Sequence, residues 1–227
     1  MTQRPSVMAQ EEKEPAKTPR GPGDAGWQAH KSSTTRDQIL DAAIHCIVEL
    51  GYSNTTTTRI AEQADISRGA MLHHFPSRLD VIRAAVDYLH EKRLRAFRKS
   101  ITNIPSGMDR VKMAVEGYWA HVTHPIFVAF FELSVAARSD PDLADILHPA
   151  QKAFDEEWYR TAQEVFPEWQ TDRAAFDLAL NLTQYLMEGI AIGYLTHARG
   201  YETKPLLEYL EQCIRTLAPP SVSGVRK

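Results

Sequence analysis

A chain of 227 residues with 43% hydrophobic and 24% charged residues can bury a substantial core and reads as one domain or two small ones. Its formal net charge of -3 gives no overall attraction for a nucleic-acid duplex, so any such contact must come from a local basic patch. No apolar run approaches the roughly 18 residues of a membrane span, and the polar, Pro-rich start lacks the apolar stretch of a secretory signal. Both features point to a cytoplasmic protein with no membrane partner. Cys46 and Cys213 each sit in an apolar helical pattern without a C-x-x-C partner, and both are expected as buried thiols.

Residues 1–32 are rich in Pro, Gly, Lys and Glu and are expected to be a disordered tail, because they carry too little apolar surface to offset the entropy of ordering. From Thr34 the pattern turns helical. Ile39, Ala43 and Ile47 form one row and Leu40, Ile44 and Val48 the next, so a single broad face is apolar. Thr34 or Thr35 suits the start of that helix and Gly51 its stop. A shorter helix is expected from Thr56 to Ala64, a turn at Asp65–Ile66–Ser67, and a third helix from Arg68 to His74 that Pro76 ends. Ser77 and Asp80 then make a capping box for a long fourth helix. Beyond Ser100, breaks near Pro105–Gly107, His124–Pro125, Asp140–Pro141, Pro149, Pro167, Gly200 and Pro205 divide the chain into about six helices. No segment alternates with period two, so the fold class is all-α.

The segment Thr55–Asp80, TTTTRIAEQADISRGAMLHHFPSRLD, has the mechanics of a helix-turn-helix over residues 56–75. Ala61 is small where two helices must cross, Asp65 tolerates the left-handed conformation of a tight turn, and Ile66 plugs the core behind it. Ser67 caps the third helix and leaves its amide end facing outward. Met71 and Phe75, four apart, point inward. Arg68, Gly69, Ala70, His73 and His74 point outward. Adjacent histidines diverge by about 100° on a helix and do not chelate together, and no Cys or Asp completes a site around His121 and His124, so neither a metal nor a cofactor is expected.

From Ser33 to Arg93 the chain resembles the DNA-binding domain of the TetR (tetracycline-repressor) family. The resemblance is carried by Gly51-Tyr52, Arg59-Ile60-Ala61-Glu62, Ile66-Ser67-Arg68-Gly69 and His73-His74-Phe75-Pro76-Ser77-Arg78, in order and spacing. It implies a DNA-binding domain over 33–93, a helical ligand-sensing and dimerisation domain over 94–218, and a flexible tail over 219–227. It further implies a ligand-responsive repressor that binds a palindromic double-stranded operator as a homodimer. Thr57, Thr58 and Arg59 open the second helix, where the threonines would meet phosphates. Arg68, Gly69 and Ala70 would lie in the major groove, with Arg68 reading a guanine edge, and Ser67 would be a DNA contact at the helix start. His73 and His74 would meet phosphate or sugar, and Arg78, at the start of the fourth helix, would clamp another phosphate. Leu72 stands where the family usually places a tyrosine, and Asp65 where it usually has glycine.

The remainder resembles the family only as a helical block of suitable length. A cavity for a small-molecule effector is implied there, and the candidate lining is Trp119, His121, Phe127, Phe131, Glu132, Trp158, Tyr185 and Glu188. Glu132 and Glu188 lie in apolar stretches and each needs a partner, either an arginine such as Arg138 or the ligand. The helix over 172–199 carries two apolar stripes, one through Phe176 and Met187 and one through Leu178, Leu182, Tyr185 and Gly189. This predicts burial on both sides. Leu182, Gly189, Gly193, Leu207, Leu210 and Ile214 are the candidate dimer contacts, with a larger single-chain core as the competing reading. A helical enzyme using Glu132, His121 and Glu188 as acid/base groups is the alternative of another class; no nucleophile motif or phosphate loop accompanies them, so no enzymatic activity is expected. A family member acting as an activator is a further alternative.

Overall fold

The computed structural model describes residues 22–102, 109–196 and 202–219. Its elements are α1 (Pro22–Leu50), α2 (Thr57–Gln63), α3 (Arg68–His74), α4 (Arg78–Thr102), α5 (Arg110–Val122), α6 (Pro125–Ala137), α7 (Pro141–Val165), a 3-10 turn (Pro167–Thr171), α8 (Arg173–Thr196) and α9 (Lys204–Leu217). Among the described residues there is no strand, as the absence of period-two patterning requires. The chain divides into two units, Met1–Asp37 and Gln38–Lys227.

In the first unit the described part is helical from Pro22. The helix therefore starts well before Thr34 and inside the stretch expected to be a disordered tail. Pro22 occupies a first-turn position, where its missing N–H is not needed, and no proline interrupts the segment that follows. Residues 1–21, the tail residues 220–227 and the expected breaks at Pro105–Gly107 and Gly200 lie outside the described residues.

In the second unit α4 is the common element. Its first turns pack Val81 and Ala85 on the residues of α1, α2 and α3, including Ile39, Ala43, Ile60, Ala61 and Met71. Ile82, Val86 and Leu89, on the adjacent stripe, meet Ile44, Ile47 and Tyr52 together with Leu133 of α6 and Leu143 of α7. Further along, Phe97 enters a third cluster with Val115, Tyr118, Trp158, Phe176 and Met187. One unbroken helix thus serves three cores in turn, and it runs straight through the expected boundary at 93/94.

Local rules account for most helix ends. Gly51 adopts φ +76, a left-handed value that stops α1 at little steric cost. Ser77 N donates to Asp80 Oδ2 (3.0 Å) while Asp80 N donates to Ser77 Oγ (3.2 Å), the expected reciprocal box. His124 Nδ1 caps α6, accepting from Ile126 N, and Asp140 caps α7, accepting from Leu143 N.

Pro149 departs from expectation. It lies inside α7 and does not end it. A mid-helix proline costs about 3 kcal/mol; here Leu143, Ile146 and Leu147 before it and Phe154, Trp158 and Ala162 after it are all buried on one face, and that burial outweighs the local cost. Among the described residues no single helix is long and apolar enough to cross a membrane.

Candidate functional site

The α2–turn–α3 segment is built almost wholly from caps. Thr56 Oγ1 accepts from Arg59 N (3.3 Å) at the head of α2. At its foot Asp65 takes φ 51, Ile66 N donates to Ala61 O (3.0 Å) and Asp65 N to Glu62 O (3.2 Å), which satisfies the last carbonyls in a Schellman arrangement. Ser67 Oγ accepts from Ala70 N (3.1 Å) at the head of α3. Gln38 Nε2 donates to Ala64 O (2.6 Å) and ties the turn to α1.

Burial then divides α3 into two faces. Met71 and Phe75 are buried, whereas Ser67, Arg68, Gly69, Leu72 and His73 are exposed and Ala70 and His74 half-buried. On α2, Thr58 and Arg59 are exposed and Thr57 is half-buried. Ten of the eleven residues singled out for DNA contact thus gather on α2 and α3. The eleventh, Arg78, has a different setting. Its Nε donates to Thr55 O (2.7 Å), Nη2 to Tyr52 O (2.6 Å) and Nη1 to Tyr52 Oη (3.2 Å), and its guanidinium stacks 4.2 Å from the Tyr52 ring. The Tyr52 hydroxyl in turn donates to Asp140 Oδ2 (2.9 Å). Arg78 therefore braces the α1–α2 loop against the start of α7, with its donors turned inward.

Behind this reader, a cavity of ≈ 70 Å³ opens between α4, α5, α7, α8 and α9, walled by Phe97, Tyr118, Trp158, Trp169, Phe176 and Ile214, among others. Of the residues expected to form a pocket, Trp158 lines it. Glu188 reaches its edge by accepting from the Tyr118 hydroxyl (3.1 Å) and from Gln184 Nε2 (3.5 Å). Burial raises its carboxyl above the usual range. Its partners are thus a tyrosine and a glutamine, not Arg138, which is exposed.

The other candidates are dispersed. Trp119 and Phe127 line a separate groove with Tyr194 and Leu195. Glu132 is half-buried beside Gly51, and Phe131 is half-buried on α6. Tyr185 is 68% exposed, on the outer face of α8. His121 is buried against Tyr118, with ring centroids 5.8 Å apart; burial and the nearby Arg93 charge lower its pKa to about 3, so the ring is neutral. The cavity residues missed in the sequence, Phe97, Tyr118 and Phe176, gave only a core-like helical signal; no local pattern separates a cavity wall from a filled core.

The expected dimer contacts also separate. Leu210 and Ile214 are buried within the chain's own third core. Leu182, Gly193 and Leu207 are half-buried and Gly189 is exposed. Near them are exposed apolar side chains that the helical stripes of the sequence only partly indicate, with Leu178 53% and Tyr209 66% exposed. Cys46 is buried as expected and Cys213 is half-buried; both thiols are free. Among the described residues no cluster of metal-ligating side chains is found.

A capped two-helix reader with a basic, exposed face on α3, mounted on a helical block with an aromatic cavity, defines a helix-turn-helix transcriptional regulator. Residues 39–85 match the family of bacterial regulatory proteins named for the tetracycline repressor. An uncharacterized HTH-type transcriptional regulator of Mycobacterium tuberculosis is 26% identical over 206 residues, 88% of this chain and all of the relative. Two solved structures share the fold. One is a protein of Saccharomonospora viridis in complex with choline (TM-score 0.62, 22% identity, 80% of this chain and 96% of that one). The other is a TetR family transcription regulator of Marinobacter aquaeolei (TM-score 0.58, 14% identity, 84% and 96%). The chain thus carries a TetR-type helix-turn-helix segment over residues 39–85 and is similar to regulators of that kind over most of its length.

Proposed function

We propose that the protein is a ligand-responsive repressor that binds a palindromic operator as a homodimer, with α3 of each subunit in successive major grooves. The observation that carries this reading is the division of α3: Met71 and Phe75 fix the helix from below, and Arg68, Gly69 and His73 stand free above. Arg68 at the first position is the base reader, by two parallel bonds to a guanine edge. Thr57, Thr58, Arg59, His73 and His74 hold the backbone, and Ser67 and Ala70 set the entry of the helix. Leu72 is 37% exposed and offers an apolar contact where a hydroxyl is absent.

The α8–α9 face supports the dimer. Leu178, Tyr185 and Tyr209 are each more than half exposed in the single chain, and large apolar side chains on these two helices suit burial against a second copy. Burying it against its own copy gives an isologous helical interface that includes Leu182, Gly189, Gly193 and Leu207.

The α4 helix couples the two ends. An effector entering the aromatic cavity presses on Phe97, Tyr118 and Trp158, and α4 carries that displacement to Ile82, Val86 and the Arg78–Tyr52–Asp140 brace beneath the reader. The equilibrium shifts only by the effector's differential affinity for the two arrangements. A neighbour of the same fold solved in complex with choline supports a ligand-responsive role.

Fluorescence anisotropy on DNA from the promoter beside its own gene tests the reading. Arg68→Ala should weaken binding by about 1–3 kcal/mol, roughly five- to 150-fold; unchanged affinity removes Arg68 from its role. In sedimentation, Leu178→Lys with Tyr185→Lys should convert dimer to monomer, and a dimer that survives both rejects the interface.

A further inference from the structure

Arg93 occupies an unusual position for a cation. It lies on the inner face of α4 and is 1% exposed. Its guanidinium is held between the rings of Phe130 (3.9 Å to the centroid) and Phe154 (4.0 Å). Nη1 makes two long contacts, to His90 Nδ1 (3.3 Å) and Gln151 Oε1 (3.4 Å). Nε has no partner. Among the described residues no carboxylate lies within ion-pair distance of it. Glu188 and Asp155 act on it only from further away, and each is engaged elsewhere, Glu188 with Tyr118 and Asp155 with Gln151 (2.7 Å). A buried guanidinium without a counter-ion is a costly arrangement that native interiors rarely tolerate.

Three further buried nitrogens in the same region lack partners among the described residues: His90 Nε2, His121 Nδ1 and Trp158 Nε1. Burial and the Arg93 charge lower the pKa of both histidines to about 3, so each is a neutral ring carrying one N–H. The unsatisfied set is therefore cationic and rich in donors, and short of acceptors. It adjoins the cavity. Phe97, one turn beyond Arg93 on the same face of α4, lines the cavity, as do Tyr118 and Trp158. Tyr118 also stacks on His121 and bonds Glu188.

We propose that the effector is a small carboxylic acid with an apolar, ring-sized body, whose ring fills the aromatic cavity and whose carboxylate pairs with Arg93. This deepens the reading of the cavity as the effector site and rests on it. The ligand carboxylate supplies the missing counter-ion and accepts from Nε and Nη2 side by side, a geometry that a guanidinium matches and an ammonium does not. His121 or Trp158 donates a further bond. A cationic ligand would meet Glu188 already held by two donors, with Arg93 close by to repel it.

The full-length protein titrated with 3-phenylpropanoate, 3-phenylpropanamide and 3-phenylpropylamine, followed by calorimetry, separates the possibilities. The acid should bind at least about tenfold more tightly than either analogue, the scale of a hydrogen bond to a charged group. Arg93→Met should erase the preference, so that acid and amide bind alike. Arg93→Lys, which keeps the charge, should retain a weakened preference and shows that the loss is not one of folding. Equal or tighter binding of the amine or amide overturns the carboxylate class while leaving the cavity as effector site. Failure of all three to bind overturns that class as well. Acid binding that is indifferent to both Arg93 variants overturns the anchor. Ala114→Phe, which fills the cavity from its wall, should abolish binding of the acid; if it does not, the cavity reading itself fails.

Discussion

The helix-turn-helix and the C-terminal helical block of this protein are stabilised in opposite ways. Around α2 and α3 the polar groups that matter lie near each other in sequence and near the surface: Thr56, Asp65, Ser67, Ser77 and Asp80 each satisfy backbone groups within a few residues. In the C-terminal block the polar groups that matter are buried and drawn from distant helices: His90 and Arg93 on α4, Tyr118 and His121 on α5, Gln151 on α7, Glu188 on α8. A reader has to present a rigid, exposed face, and caps provide rigidity without covering it. In the proposed role of effector site, the C-terminal block has to change its packing when a ligand arrives, and incompletely paired groups in a core favour a second arrangement once partners are supplied.

Acid offers the largest test of this contrast. His90 and His121 have folded pKa values of about 3, below the ordinary 6.5. Between those limits the unfolded chain binds more protons than the folded one, so stability falls as pH drops. The loss begins near pH 6.5, continues to about pH 3, and reaches as much as about 1.4 kcal/mol per pH unit for each ring. Urea unfolding at a series of pH values should show this slope, and His121→Phe should remove roughly half of it. An unchanged slope in that variant would place the acid sensitivity elsewhere and break the contrast.

Arg78→Ala is next in size. It removes three donors to Tyr52 and Thr55 and the stacking on Tyr52, and should cost about 2–4 kcal/mol in urea denaturation. Because this brace joins the reader to α7 through Asp140, the variant should also weaken any effector-dependent release of DNA. A stability change below about 0.5 kcal/mol would mean that Arg78 faces solvent or phosphate, as on a surface site. The smallest effect sharpens the reader alone. Asp65→Gly relieves a left-handed backbone and should raise stability by up to about 1 kcal/mol, whereas Asp65→Val should lower it. A melting temperature lowered by the glycine would show that the Asp65 side chain supports the turn in its own right.

Sequence alone determined the reader. Its caps, its left-handed turn, the inward pair Met71 and Phe75 and the outward Arg68 all follow from interactions within about four residues, the range over which helical periodicity and capping chemistry act. The tertiary structure decided the rest. Pro149 sits within a continuous helix because packing on both sides of it outweighs a local rule. Arg78 turned inward because Tyr52, far away in sequence, offers its ring and carbonyl. Tyr185 lies outside the cavity and Leu210 inside the core because amphipathic stripes say that a face is buried without saying against what. The position of Arg93, buried among the rings of two other helices with no carboxylate of the described residues beside it, is of the same kind. A lone arginine in a helical stretch reads as a solvated side chain, and only the meeting of α4, α6 and α7 makes it an anion site.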